Sequence, residues 1–209
     1  GLQLKILGQG KRGFIEYVPG ELAWRPVEAK GYMFIHCLWV VGKSKGQGRS
    51  SALLERCIQD AHEAGLKGVA MITSGGNWLA SKKLLVRRGF ESVASVPPAY
   101  DLMVKKFRRA RSPKFLDNWD DNCRRCGKGL TVLRSGQCPY LDDAVDAMLD
   151  AAKERGTNAR VVDLKDSEDA RRRATSPMGT FGAVLDGALL SAHYLTRRDL
   201  AKRLDEAGR

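Results

Sequence analysis

The sequence predicts an α/β (α+β) protein built as two small domains in tandem. Three observations lead there. Apolar runs of strand type alternate with helical stripes along most of the chain. One charged segment, 107–128, breaks that periodicity near the middle. The basic charge is confined to the part before the break and to the break itself. With 209 residues, 43% hydrophobic and 29% charged, the chain is long enough for two cores and too apolar to stay disordered.

The first domain spans 1–106. Gly13–Val18 reads as a strand, with Phe14 and Glu16 alternating across it. Tyr32–Val41, YMFIHCLWVV, is rich in aromatic and β-branched residues and reads as a buried strand. Strand alternation points Cys37 away from His36, which excludes a dyad. A loop, Gly42–Gly48, precedes a helix from about Arg49 to Ala64. Leu53, Leu54, Cys57, Ile58 and Ala61 form its apolar face, and Gly65 ends it. Val69–Thr73 is the next buried strand. Leu79–Arg88 is a second helix stopped by Gly89, and Phe90–Ala94 and Leu102–Val104 are the last strands.

Residues 107–128, FRRARSPKFLDNWDDNCRRCGK, read as a basic connector, with no clear period of 2 or 3.6. A second domain follows over 129–209. Leu130–Leu133 is a strand. Asp142–Arg155 is a helix with Val145, Met148, Leu149 and Ala152 on one face. Arg160–Leu164 is a strand and Ser167–Arg173 a short helix. Ala183–Leu185 and Ala188–Ser191 flank Asp186-Gly187, a strong hairpin signal. Thr196–Ala207 closes the chain.

Residues 1–106 hold 16 Lys/Arg against 8 Asp/Glu, 107–128 hold 7 against 3, and 129–209 hold 13 of each. That field suits a phosphorylated ligand, nucleic acid, an acidic partner or plain solubility. A nucleic-acid partner is not expected, because no aromatic–basic alternation or groove-reading motif is present. No apolar run approaches the roughly 20 residues of a membrane helix, so no membrane partner is expected. Five cysteines and no visible signal peptide place the chain in a reducing, cytoplasmic compartment. Nothing bears on oligomeric state.

The most informative stretch is Lys45–Glu55, KGQGRSSALLE. Two glycines leave a buried strand and begin a helix. Small residues admit an anion close to the backbone, and the helix N-terminus supplies unpaired N–H groups. Lys43, Lys45 and Arg49 add full charges. The spacing is neither GxxxxGK[ST] nor GxGxxG.

Strand, then K-x-x-G-x-S opening a helix, resembles the acetyl-CoA-binding signature of the GNAT N-acetyltransferases, (Q/R)-x-x-G-x-(G/A). Lys45, Gly48 and Ser50 occupy its fixed positions, with Lys for Gln/Arg and Ser for Gly/Ala. Asn77, Ala80 and Gly89-Phe90 resemble the family's N-x-x-A … G-F segment.

The resemblance implies acetyl-CoA as co-substrate and a small-molecule or peptide amine as acceptor. It implies backbone groups of Leu38 and Val40 on the pantetheine arm. Amides of Gly46, Gln47, Gly48, Arg49 and Ser50 would hold the pyrophosphate. A strand amide near Val40 would polarise the acetyl oxygen. It also implies a missing N-terminal segment, since the family places a strand and helices before the Gly13 strand. A general base must take the amine proton. Glu16 is the first candidate, its alternative being a solvated strand residue. Ser74, at a strand end, is either near the thioester or a turn residue. The tyrosine that many members use as acid falls at Leu85, so that role does not carry over. His36 reads as a core residue and Cys57 as inert.

Ser135–Leu141, SGQCPYL, follows a strand and precedes a helix, where the dipole would lower the pKa of Cys138. With Ser176-Pro177 beyond it, this half resembles the thioredoxin fold. Cys-Pro-Tyr-Leu in place of Cys-Pro-Tyr-Cys rules out a direct dithiol cycle, leaving a monothiol role or a vestigial fold. Cys123-x-x-Cys126 is half a zinc site, a resolving pair for Cys138, or incidental; no metal is expected. Together the halves resemble the bacterial YoaP-type acetyltransferases, a GNAT domain followed by a thioredoxin-like domain. FIEYVPGELAWRPVEAKGYMFIHCLWV and SGQCPY carry that resemblance. The leading expectation is an acetyl-CoA-dependent N-acetyltransferase. The alternatives are a thiol redox or sensing protein working through Cys138 and a nucleic-acid-binding module.

Overall fold

A computed structural model describes residues 1–75, 79–137, 140–193 and 195–207, and the backbone alone at 140 and 207. The chain divides into two compact units. One is Gly1–Ala23 with Val27–Phe115, and the other is Trp24–Pro26 with Leu116–Arg209.

The first unit is a six-stranded sheet in the order β1-β2-β4-β5-β7-β6. Its strands are β1 (Gln3–Ile6), β2 (Gly13–Pro19), β4 (Met33–Val40), β5 (Gly68–Ser74), β6 (Glu91–Val96) and β7 (Tyr100–Lys106). A short ribbon joins β3 (Val27–Glu28) to β8 (Lys114–Phe115). The helices are α1 (Arg49–Glu63) and α2 (Lys82–Val86). The predicted stripe of α1 is buried throughout. It packs on Ile15, Tyr17, Met33, Ile35, Val69 and Met71, with Leu85 of α2 in the same core. Full burial of one such side chain is worth about 1.5–3 kcal/mol. The opposite face of the sheet carries Val18, Phe34, Ala70, Ile72, Leu102 and Val104 under Ala23, Val27 and Tyr32.

Tyr17 is fully buried on the α1 side and its hydroxyl donates to Asp60. Lys5 (3.2 Å) and Arg56 (2.7 Å) reach the same carboxylate. Burial and the hydrogen bond to Asp60 push the Tyr17 hydroxyl up. At Asp60 burial also pushes upward, but the bonds from Tyr17 and Lys5 and the charge of Arg56 outweigh it and hold the carboxyl below the usual carboxylate range. One acid thus ties β1, β2 and α1 together.

One expectation needs correction, and one strand was not anticipated. The helix read over Leu79–Arg88 is only Lys82–Val86, because Ser81 caps it by accepting from the Leu84 amide. Strand β1 was not legible, its Leu4 and Ile6 being 50% and 69% exposed.

The second unit has a four-stranded sheet in the order β10-β9-β11-β12. Its strands are β9 (Leu130–Arg134), β10 (Ala159–Asp163), β11 (Phe181–Leu185) and β12 (Ala188–Ser191). Asp186 and Gly187 take positive φ of 50° and 80° in the hairpin, as a tight turn there requires. The helices are α3 (Trp119–Arg125), α4 (Tyr140–Glu154), α5 (Ser167–Arg173) and α6 (Arg197–Ala207). Val145, Met148 and Ala152 of α4 meet Leu200 and Leu204 of α6 over Leu130, Val132 and Phe181. Residues 107–128 carry β8 and α3. Helix α3 is held by side-chain-to-backbone bonds that no periodicity announces. Asn122 donates to the Arg172 and Ala174 carbonyls at 2.9 and 2.8 Å.

Candidate active site

The loop from β4 into α1 is held in shape from below. Ser44 is buried, and its hydroxyl accepts from the Arg12 amide at 2.9 Å and from the Arg49 guanidinium at 2.8 Å. Arg49 also reaches Gln47 Oε1, and Gln47 donates to the Lys43 carbonyl. Gly46 and Gly48 have φ of +75° and +72°, and a Cβ on either would project into open space. Gly48 caps α1 without a side chain, and the first turn contains no acid. The positive end of α1 is therefore uncompensated from within, and Lys43 and Lys45 are exposed beside it. This is a surface on which a phosphate fits. Ser44 was missed in the sequence, since a buried serine in a Gly-rich loop looks like any loop serine.

The loop leaves a strand pair that comes apart. Strands β4 and β5 are parallel and pair at Met33–Val69, Phe34–Ala70 and Ile35–Met71, and the ladder ends there. Both strands continue, β4 to Val40 and β5 to Ser74. On its other side β4 stays paired to β2, Leu38 facing Ile15 and Val40 facing Gly13. The wedge so formed borders the backbone of Leu38 and Val40, and their side chains pack toward the α1 core.

The parting coincides with a bulge. Glu16 pairs with Cys37 and Tyr17 with Ile35, so His36 is an extra residue on β4. The alternation argument that separated Cys37 from His36 fails for that reason. Register places Cys37 opposite Glu16, and His36 Nδ1 lies 3.3 Å from Glu16 Oε1. His36 is buried, while the Glu16 side chain is one-fifth exposed. Phe34 sits edge-on to the His36 ring, at 5.9 Å between centroids. Glu16 is therefore not a plain solvated strand residue. It is a carboxylate held by a buried imidazole beside the wedge.

Ser74 ends β5 and is half-buried. It pairs with Tyr100 of β7, and both line a groove of about 670 Å³ with Leu79, Val96, Pro97 and Pro98. Lys45, Gly46, Gln47 and Gly48 are exposed, and Arg49 and Ser50 half-buried, at the start of α1. Leu85 is wholly in the core.

Asn77 and Cys138, both expected at a site, lie outside the described residues. Three of the described thiols, Cys57, Cys123 and Cys126, are pushed up by burial. Burial pushes the Cys57 thiol up, and burial with the neighbouring Cys126 and Asp120 pushes Cys123 to about 11. The Cys123 thiol donates to the Thr175 carbonyl. Among the described residues, no group of three His, Cys, Asp or Glu could hold a metal ion, and no helix is long and apolar enough to cross a membrane.

No family model matches the chain. It is similar to a Bacillus subtilis protein described as "Uncharacterized N-acetyltransferase YoaP", 27% identical over 208 residues, 98% of this chain and 82% of that one. Among solved structures it is similar to an acetyltransferase from Bacillus cereus, with a TM-score of 0.42 and 14% identity over 51% of this chain and 74% of that one. It is also similar to NAA60 of Arabidopsis thaliana in complex with acetyl-CoA, with a TM-score of 0.35 and 18% identity over 46% and 65% of the two chains.

Proposed function

We propose that this protein is an acetyl-CoA-dependent N-acetyltransferase acting on a small-molecule or peptide amine. The observation that carries the reading is the wedge: β4 and β5 part after Ile35 and Met71, and β4 runs directly into the Gly46–Gly48 loop. A thioester arm needs an extended backbone partner, and its pyrophosphate needs amides and positive charge. Here the two requirements are met on consecutive stretches of chain. The similarity to YoaP over nearly the whole chain supports the same reading.

The residues divide the work as follows. Amides of Gly46 to Ser50, with Lys45 and Arg49, hold the pyrophosphate. Leu38 and Val40 offer backbone groups to the pantetheine arm, and an amide near Val40 donates to the acetyl oxygen. Asn77 belongs to the same cofactor set. Glu16, positioned by His36, takes a proton from the attacking amine directly or through water. The amine nitrogen bonds to the acetyl carbon, the carbon–sulfur bond breaks, and the CoA thiolate leaves and takes up a proton. Ser74 borders this reaction from the end of β5.

We read the second unit as a thioredoxin-like domain. A βαβ unit followed by a helix, a hairpin and a closing helix, in the strand order β10-β9-β11-β12, supports that assignment. The four free cysteines among the described residues fit a reducing, cytoplasmic setting. The thiol alternative through Cys138 gains nothing from Cys57, Cys123 and Cys126, whose thiols burial pushes up.

The test is a melting-temperature titration with acetyl-CoA, CoA and ATP. Stabilisation by acetyl-CoA and CoA, of about 2.7 kcal/mol at a hundredfold excess over Kd, is expected, with none from ATP. No shift with either CoA species overturns the reading.

A further inference from the structure

The acceptor is not disclosed by any of these features, but the groove at the end of β5 bears on its chemistry. The residues Ser74 and Tyr100 are partners across β5 and β7, two positions along from Ile72 and Leu102. They therefore lie on the sheet face opposite α1. Glu16 lies on that face too, because its neighbours Ile15 and Tyr17 both face α1. Ser74 stands three residues, ~10 Å, beyond the last β4–β5 pair. The groove thus opens beside the wedge, on the side where Glu16 and His36 stand.

Its lining is mostly apolar, from Leu79, Val96, Pro97, Pro98 and the Tyr100 ring. Among the described lining residues Asp101 is the only carboxylate. Its Oδ1 is held by Lys82 at 2.9 Å and accepts from the Ser92 and Ser95 hydroxyls at 2.7 Å each, so its charge is already balanced by Lys82. A second cation on a substrate would therefore meet a carboxylate whose charge Lys82 already balances, with Lys82 itself beside it. The surrounding chain, residues 1–106, adds a surplus of eight positive charges. Like charges at close range disfavour a polycation.

We infer that this groove takes the body of the acceptor, and that the acceptor is a monoamine carried on an uncharged apolar or aromatic group. The inference rests on the acetyltransferase reading above. Pro97, Pro98 and Tyr100 receive the apolar body, and its single amine points to the wedge. Polyamines and aminoglycosides are rejected by unpaired charge, not by size.

The experiment uses the full chain with acetyl-CoA and a panel of phenethylamine, hexylamine, spermidine and kanamycin. Acetylated product is measured chromatographically and acetyl-CoA binding separately by calorimetry. The expected kcat/KM for phenethylamine exceeds that for spermidine by about tenfold or more, the scale on which an apolar pocket discriminates. Ala99 is an exposed lining residue between the groove's prolines and Tyr100. Ala99→Glu adds an unpaired carboxylate and is expected to raise kcat/KM for spermidine at least about fivefold, roughly the factor that 1 kcal/mol represents. Ala99→Lys should deepen the discrimination. Acetyl-CoA affinity should be unchanged in both. Preference for spermidine or kanamycin overturns the inference, as does an unchanged ratio in both variants. So does failure to acetylate either apolar amine while acetyl-CoA still binds; in each case the acetyltransferase reading stands. Loss of acetyl-CoA binding by the unmodified chain overturns both.

Discussion

Each unit contains a strand–helix–strand segment with a 15-residue helix, α1 in one and α4 in the other. In the second unit the parallel strands stay zipped along their whole length, from Leu130–Ala159 to Arg134–Asp163. In the first, three pairs form and the strands then separate. The helix starts differ in the same sense. The first turn of α4 carries Asp142 and Asp143, which answer its positive end, whereas that of α1 carries no acid and sits above two open glycines. The same supersecondary unit is thus self-sufficient in one place and incomplete in the other. A site arises where backbone groups are withheld from the fold's own hydrogen bonds.

The contrast can be broken most sharply at Glu16. If the bulge exists to hold this carboxylate at the wedge, Glu16→Gln lowers kcat about 10²–10⁴-fold while acetyl-CoA binding persists. An unchanged kcat in Glu16→Gln would remove the assignment. Next comes Gly48→Val. A β-branched residue at a φ of +72° costs about 1–2 kcal/mol of stability and fills the space above the loop. Denaturant melts should show that cost, and acetyl-CoA should no longer raise the melting temperature. A preserved thermal shift would mean the glycine serves the turn alone.

Asp60→Ala tests the support beneath the site. It leaves the buried Tyr17 hydroxyl without its acceptor, at about 1–3 kcal/mol. The same acid makes a pH prediction. Its folded pKa lies below the unfolded value of 3.8, so its contribution is full above that value and fades as pH falls through the folded pKa. Urea melts should show the gap between wild type and Asp60→Ala closing only under acid. The smallest effect concerns the second unit. With its thiol pushed up to about 11, Cys123 should alkylate far more slowly than free cysteine at pH 8, as mass spectrometry of iodoacetamide-treated protein would reveal. Labelling at the free-thiol rate would mark it as reactive after all.

Much of this fold was legible because its signals are local. The stripe of α1, the Asp186-Gly187 turn and the span Ser167–Arg173 appear as periodicity or turn chemistry predicts. The failures share a cause. Strand β1 exposes its apolar residues, and α3 is fixed by Asn122 reaching carbonyls some 50 residues away. At the site, the loop glycines could be read from spacing, but the partnership of Glu16 and His36 could not. Alternation predicts faces only while a ladder is regular, and one extra residue at His36 reverses the parity of everything after it.

By itself, then, the sequence determined where the apolar stripes fall, where the chain turns, and that a basic, glycine-bearing loop precedes α1. These follow from composition and short-range spacing, which act within a few residues. Only the tertiary structure decided that β4 and β5 part after three pairs, that the bulge brings Glu16, His36 and Cys37 together, and that Ser44 pins the loop from beneath. Those outcomes depend on how each strand registers with neighbours 20 to 40 residues away, and register is a property of the assembled sheet.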